Sequence, residues 1–416
     1  MKVVSKIEDF DNSREVKVMA KLVARNEYLE QLKMWREKEM IKVVTGVRRC
    51  GKSTLFALYI DYLKSTGVTD KQIISVNLED EDNSELLDHT KLHEYVKSRL
   101  CKDKWTYIFI DEVQNCAEYE RAISSLYLRK NVDIYITGSN AYMLSGELAT
   151  KLTGRYIEID MLPLSFSEYG QAVDIADDRK RFLQYMNMGA FPYAVTLVDN
   201  SVAHAQYLEG IYNTVLVKDV VTRHRINDVS VVEAIVKFLC SNVGSPVSAK
   251  KIADTMKSNG RPIAVNTVEN YLRALTDSYL FYKVERYDIK GKLHLKTAPK
   301  YYVCDTGLRN TILGSDNTDI GHQLENIVYL ELLRRGYRVN IGKTRTKEID
   351  FVAVKGKETI YVQVAYLLAT PETVEREFGN LEQIKDNYPK YVISMDEVDM
   401  SRSGIKHINT VEWLDK

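Results

Sequence analysis

Residues 46–53 read Gly-Val-Arg-Arg-Cys-Gly-Lys-Ser and fill every fixed position of the pattern G-x-x-x-x-G-K-[ST]. The chemistry that this spacing allows is the capture of a nucleoside triphosphate. Gly46 and Gly51 let the backbone through Arg48, Arg49 and Cys50 curl, so that successive N–H groups face a phosphate. A helix opening at Ser53 and Thr54 adds unpaired donors and a partial positive charge. Lys52 can reach the β- and γ-phosphates, and the Ser53 hydroxyl can bind Mg²⁺. ATP and Mg²⁺ are therefore the expected ligands.

A second pair of groups lies downstream. Tyr107-Ile-Phe-Ile is a buried-strand pattern that ends in Asp111 and Glu112. In P-loop ATPases of the additional-strand type, the first such acid holds Mg²⁺ and the second activates the attacking water; Asp111 and Glu112 fit those roles. A third strand, Asp133-Ile-Tyr-Ile-Thr, ends in Gly138, Ser139 and Asn140. Asn140 or Ser139 could orient the water or sense the γ-phosphate, because strand C-termini line the ligand crevice of a doubly wound sheet. The same tripeptide also suits a plain turn. Arg155 could touch the γ-phosphate in cis or across a subunit interface, or be an exposed turn arginine.

These residues need elements to hold them. Val43 and Val44 sit in a short apolar strand before the glycine turn, and Leu55, Phe56, Leu58 and Tyr59 begin the helix after it. An acidic loop from Glu79 to Asp88 reads as solvated, or as a metal or partner contact. The chain has 416 residues, enough for two to four domains. Lys+Arg and Asp+Glu both number 58, so any nucleic-acid site must be a local patch. No apolar run is long enough to span a membrane, and the N-terminal residues show no signal core. Five cysteines without a C-x-x-C pair suit a reduced, cytoplasmic compartment better than disulfides or zinc.

The segments GVRRCGKSTL, YIFIDEVQ, ITGSN, LTGRY and LPLSFSEY together resemble a large family of bacterial and archaeal AAA-like ATPases. Its members are known only as ATP-binding proteins with a C-terminal domain of unknown function. Gly189-Ala-Phe-Pro192, Val217-Lys-Asp-Val-Val221 and Pro299 to Leu308 extend the resemblance over nearly the whole chain from about Ala24. It implies an α/β fold: an additional-strand P-loop core, a helical lid, a winged helix and a restriction-endonuclease-like α/β domain. The expected boundaries are an N-terminal lead at 1–22, the core at 23–170, the lid at 171–228, the winged helix at 229–312 and the nuclease-like domain at 318–416.

In the winged-helix region, residues 245–300 hold 11 Lys+Arg against five Asp+Glu. That local excess is a footprint for duplex DNA, although a winged helix can also serve only as packing. In the last hundred residues, Glu325 and Asp350 match the nuclease pattern, but Gln363 stands for its third acid and Ala365 for its lysine. Without those charges neither metal nor water is served, so a degenerate fold without cleavage activity is expected. The expected function is a Mg²⁺-dependent ATPase that couples hydrolysis to conformational change, associated with DNA and a candidate homo-oligomer, with no membrane contact. The competing reading is a nucleotide-switched protein-interaction module in stress or defence signalling, with no role for DNA.

Overall fold

The structure is a computed structural model that describes residues 23–141, 154–291, 293–314, 319–344 and 347–416. The N-terminal lead at 1–22, the residues just before Gly154 and the polar linker at 315–318 lie outside them. A helix, α1 (Asn26–Met34), leads into β1 (Ile41–Thr45), and α2 (Lys52–Ser65) follows the glycine turn. Then come β2 (Ile73–Asn77), α3 (His89–Lys97), β3 (Thr106–Asp111), α4 (Tyr119–Tyr127), β4 (Val132–Gly138) and β5 (Tyr156–Asp160).

The five strands form one parallel sheet in the order β2-β3-β4-β1-β5. A parallel sheet is covered on both faces, which is why every residue of β1 and β3 is buried. Alternate residues serve opposite cores. Tyr107 and Phe109 pack with Phe56 and Tyr59 of α2 on one face. Ile108 and Ile110 pack with Leu92, Ile123 and Leu126 of α3 and α4 on the other. β4 lies between the strand that carries the P-loop and the strand that carries the carboxylates, so its tip falls between their tips.

A helical layer follows: α5 (Phe166–Ala172), α6 (Asp178–Met188), α7 (Pro192–Val195) and α8 (Ser201–Thr214). The helical winding changes after α8. Val215–Thr222 is a π-helix, a rare form that tends to mark functional sites. Three more helices come next: α9 (Val229–Ser241), α10 (Ala249–Ser258) and α11 (Val265–Asp277). They lead into the hairpin of β6 (Phe281–Asp288) and β7 (Leu293–Val303).

That hairpin is not confined to the region where a wing was expected. β6 pairs in parallel with β8 (Arg338–Lys343), so the hairpin forms the edge of a seven-stranded sheet. The sheet continues through β9 (Glu348–Lys355), β10 (Glu358–Val364), β11 (Lys390–Ser394) and β12 (Lys406–Asn409). Backbone hydrogen bonds therefore cross the boundary expected near residues 312–318. Two further motifs of the resemblance meet at a joint between layers. Asp305 accepts from the Ala190 N–H at 2.6 Å and from the Leu308 N–H at 2.8 Å. Gly189, at φ +77°, leaves no room for a side chain, since a Cβ would lie 2.2 Å from Asp305 Oδ1. Those motifs fix the lid to the hairpin.

Candidate active site

The phosphate loop is built by close backbone approach. Gly46 has φ +141°, and a Cβ there would lie 2.1 Å from the Met161 carbonyl oxygen. Gly51, at φ +108°, caps the N-terminus of α2. Arg25, only 3 % exposed, braces the loop from behind. Its guanidinium donates to the Cys50 carbonyl (3.0 Å), the Leu162 carbonyl (2.6 Å) and Glu168 Oε1 (2.9 Å). Glu168 itself closes a capping box with Ser165 at the start of α5. The LPLSFSEY motif is thus the anchor of the brace. Arg25 was not singled out from sequence, because its partner Glu168 lies 143 residues away.

Lys52 is buried and folded back onto the loop. Its Nζ donates to the Gly46 carbonyl at 3.0 Å and the Val47 carbonyl at 3.3 Å, and lies 3.6 Å from Glu112 Oε1. Asp111 hydrogen-bonds Ser53 and Thr137, and burial pushes its carboxyl above the usual range. Thr137 of β4 joins the two acids: its hydroxyl donates to Asp111 and accepts from the Glu112 N–H at 2.9 Å. Glu112 sits in the left-handed region at φ 51°. Gln114 and Ser139 both donate to its Oε2, the latter at 3.1 Å. Burial acts to raise the Glu112 pKa, but Lys52, Gln114, Arg48 and Ser139 outweigh it and hold the carboxyl below its ordinary value. It is therefore ionised at neutral pH, as a base must be.

These groups open into a cleft of about 1240 Å³ between the sheet and the helical layer that follows it. Arg48, Arg49, Gly51, Lys52, Ser53, Thr54 and Glu112 line one wall; Tyr193, Tyr207, Thr214 and Asp219 line the other. Arg48 spans the two. It forms a fork with Asp219 of the π-helix, Nε to Oδ2 at 2.6 Å and Nη2 to Oδ1 at 3.2 Å, and reaches Glu79 at 2.7 Å. Glu79 belongs to the acidic loop, and Arg48 is what that acid contacts here.

The Cys50 side chain faces the core, and it is its backbone, the part expected to serve, that belongs to the loop. Two expected site residues stand elsewhere. Asn140 is buried behind the tip of β4 and does not line the cleft; Ser139 is the group that meets Glu112. Arg155 is not brought to the cleft at all. It precedes β5, whose register pairs Tyr156 with Ile41 and Asp160 with Thr45. That places it at the opposite end of β1 from the P-loop, a strand length of roughly 15 Å away. Its guanidinium lies over the Tyr127 ring, 5.5 Å from the centroid. A role for Arg155 in cis on the γ-phosphate is thus corrected. Without a contact across a subunit interface, Arg155→Ala is expected to keep kcat within about twofold of wild type, since exposed substitutions away from a site rarely act on it; a larger loss would assign the arginine to such an interface. A steady-state ATPase assay checks this.

The C-terminal sheet carries a second cleft, of about 1200 Å³. Glu325 and Asp350 both line it, but a lysine sits with them. Lys300 of β7 lies 3.0 Å from Glu325 Oε1 and 3.0 Å from Glu348 Oε1. Tyr302 also donates to Glu325, at 2.6 Å. Gln363 accepts from the Asp350 N–H at 2.7 Å and donates to Glu377 at 2.6 Å. Among the described residues, no three His, Cys, Asp or Glu side chains are grouped to hold a metal ion.

Residues 38–170 match a family model described as an AAA domain, and residues 179–319 match one described as a domain of unknown function. An uncharacterized protein of Haemophilus influenzae is 38 % identical over 399 residues, covering 94 % of this chain and 98 % of its own. The uncharacterized protein MJ1544 of Methanocaldococcus jannaschii is 31 % identical, covering 83 % of this chain and 79 % of its own. Among solved structures, the Walker-type ATPase PABY2304 of Pyrococcus abyssi aligns at 14 % identity and a TM-score of 0.48, over 70 % of this chain and 95 % of that one. The chain belongs to the same family as these Haemophilus and Methanocaldococcus proteins, one that joins an AAA-type P-loop domain to an uncharacterized C-terminal region.

Proposed function

We propose that this protein is a Mg²⁺-dependent ATPase in which hydrolysis moves the helical lid against the P-loop core. The observation that carries this reading is the buried Lys52–Glu112 pair, which lines one cleft together with Ser53, with Asp111 set behind Ser53 at the end of β3. Lys52 and Arg48 of the cleft are held by protein acids. A triphosphate gives Lys52 a better partner and frees the Glu112 carboxylate to take a proton from water. Ser53 and Asp111 suit a divalent ion, since Mg²⁺ takes one or two protein oxygens and fills its remaining positions with phosphate and water. When bound, the ion neutralises charge that builds on the phosphate oxygens. Thr137 fixes both acids, and Ser139 and Gln114 aim Glu112.

A DNA-associated role is the second part of the proposal. α9, α10, α11 and the β6–β7 hairpin have the element order of a winged helix. On α10 and α11, Lys250, Lys251, Lys257, Asn266, Asn270 and Arg273 are all exposed. Exposed cations and amides on adjacent helices suit a phosphate backbone and base edges. The last hundred residues are read as a degenerate nuclease fold serving as a platform, because Gln363 stands in place of the third acid and bridges Asp350 to Glu377, even though Lys300 brings a cation to the cleft that Ala365 does not supply. Phosphate release from Mg·ATP, measured with and without a short duplex over a salt series, tests the proposal. Turnover that duplex raises at low salt and not at high salt supports both parts. Turnover indifferent to duplex, with no salt-dependent binding, leaves the ATPase and favours a protein-interaction module.

A further inference from the structure

We propose that Arg48 is the arginine that stabilises the transition state of phosphoryl transfer, and that Asp219 of the lid is the residue that positions it. This rests on the ATPase reading above and names a group which that reading leaves open, since Arg155 stands at the far end of the sheet. Arg48 belongs to the phosphate loop, lines the same cleft as Lys52, Ser53 and Glu112, and is close enough to Glu112 for their charges to interact. The other arginines lining this cleft, among the described residues, are Arg49, which is exposed, and Arg223, which lies 3.7 Å from Asp219.

The guanidinium is aimed by two acids on opposite sides. Glu79 at the end of β2 takes Nη1, and both oxygens of Asp219 take Nε and Nη2. The Asp219 side chain is 1 % exposed. It is the acid of the π-helix, on the same buried side as Val215, Leu216 and Val220. An ionised side chain is costly to bury and is retained where its partner is needed. Here that partner is a planar fork whose geometry suits a carboxylate or a phosphate equally. A lid swung away takes Asp219 with it and leaves Arg48 unaimed, so lid position decides whether the arginine is in place.

The step balances without any further reactant. A water oxygen bonds to Pγ as the Pγ–O bond to the β-phosphate breaks. The water proton passes to Glu112, and ADP leaves with the bridging oxygen and its electron pair. Arg48 donates to the equatorial oxygens of the transferring group while charge is spread over them.

The test compares wild type with Arg48→Ala, Arg48→Lys and Asp219→Asn. Three quantities are measured with Mg²⁺ present: the Kd of ATP, kcat, and retention of ADP with aluminium fluoride, a mimic of the transferring phosphoryl group. For Arg48→Ala, kcat should fall on the order of 1,000-fold with the Kd of ATP changed by no more than about threefold. Wild type should retain the ADP–aluminium fluoride complex, and both Arg48 variants should lose it. Arg48→Lys keeps the charge without the fork, and should not rescue. Asp219→Asn should lower kcat about 10- to 100-fold and weaken retention of the mimic more than binding of ATP. Unchanged retention in the Arg48 variants, or a Kd loss that matches the kcat loss, overturns the proposal while leaving the ATPase intact. A wild type that binds no ATP overturns both. Should Arg48→Ala not fold, Arg48→Lys and Asp219→Asn give the same readouts.

Discussion

Lys52→Ala weakens Mg·ATP binding by roughly 100-fold, about 3 kcal/mol, and takes turnover with it. The size follows from losing charge-assisted hydrogen bonds to two phosphates in a site shielded from water. The structure adds a second consequence. Lys52 is the leading charge that holds the Glu112 carboxyl below its ordinary range against the pull of burial. Removing it leaves a buried carboxylate without its cation, so the Glu112 pKa rises. A folded-state pKa depressed below the unfolded value contributes stability above the unfolded pKa, and that contribution is lost as pH falls through the folded value. In Lys52→Ala this contribution is reduced at neutral pH, with Gln114, Arg48 and Ser139 still acting on the carboxylate. Calorimetric titration gives the affinity, and thermal unfolding from pH 7 down to pH 4 gives the linkage. An affinity equal to wild type would remove Lys52 from the site.

Glu112→Gln separates binding from chemistry. The amide has nearly the shape of the carboxylate and keeps one oxygen acceptor for Ser139, while Ser53 and Asp111 are untouched. ATP affinity should stay within about threefold. kcat should fall about 1,000-fold, within the range that a positioned general base contributes. Single-turnover kinetics with radiolabelled ATP reads both quantities on one sample. Equal losses in binding and rate would make Glu112 a holding group instead of the base.

The parts of the site that could be read from sequence are those contiguous in the chain. The P-loop and the Asp111–Glu112 pair each lie within one strand–turn unit, and a short pattern carries their geometry. What could not be read depends on pairings across the fold. Arg25 reaches Glu168 across 143 residues, and Arg48 reaches Asp219 across 171. No spacing rule marks those partners. Arg155 shows the opposite failure: it lies close to the motifs in sequence, but the parallel register of β5 on β1 puts it at the wrong end. Thr137 was hidden for a third reason. A threonine inside an apolar strand reads as a β-former, and its role in joining two acids appears only once β4 lies beside β3. In the C-terminal half, the joining of β8 to the β6–β7 hairpin in one sheet could not be read, because a parallel pairing between distant strands leaves no local mark.

The central claim is that this cleft takes a nucleoside triphosphate together with Mg²⁺. Isothermal titration of the wild-type chain with ATP, with Mg²⁺ and then with excess chelator, tests it most directly. One ATP bound per chain, with an affinity that falls when the ion is removed, is the predicted result. No binding heat, and no shift of the unfolding transition at millimolar ATP with Mg²⁺, would contradict it.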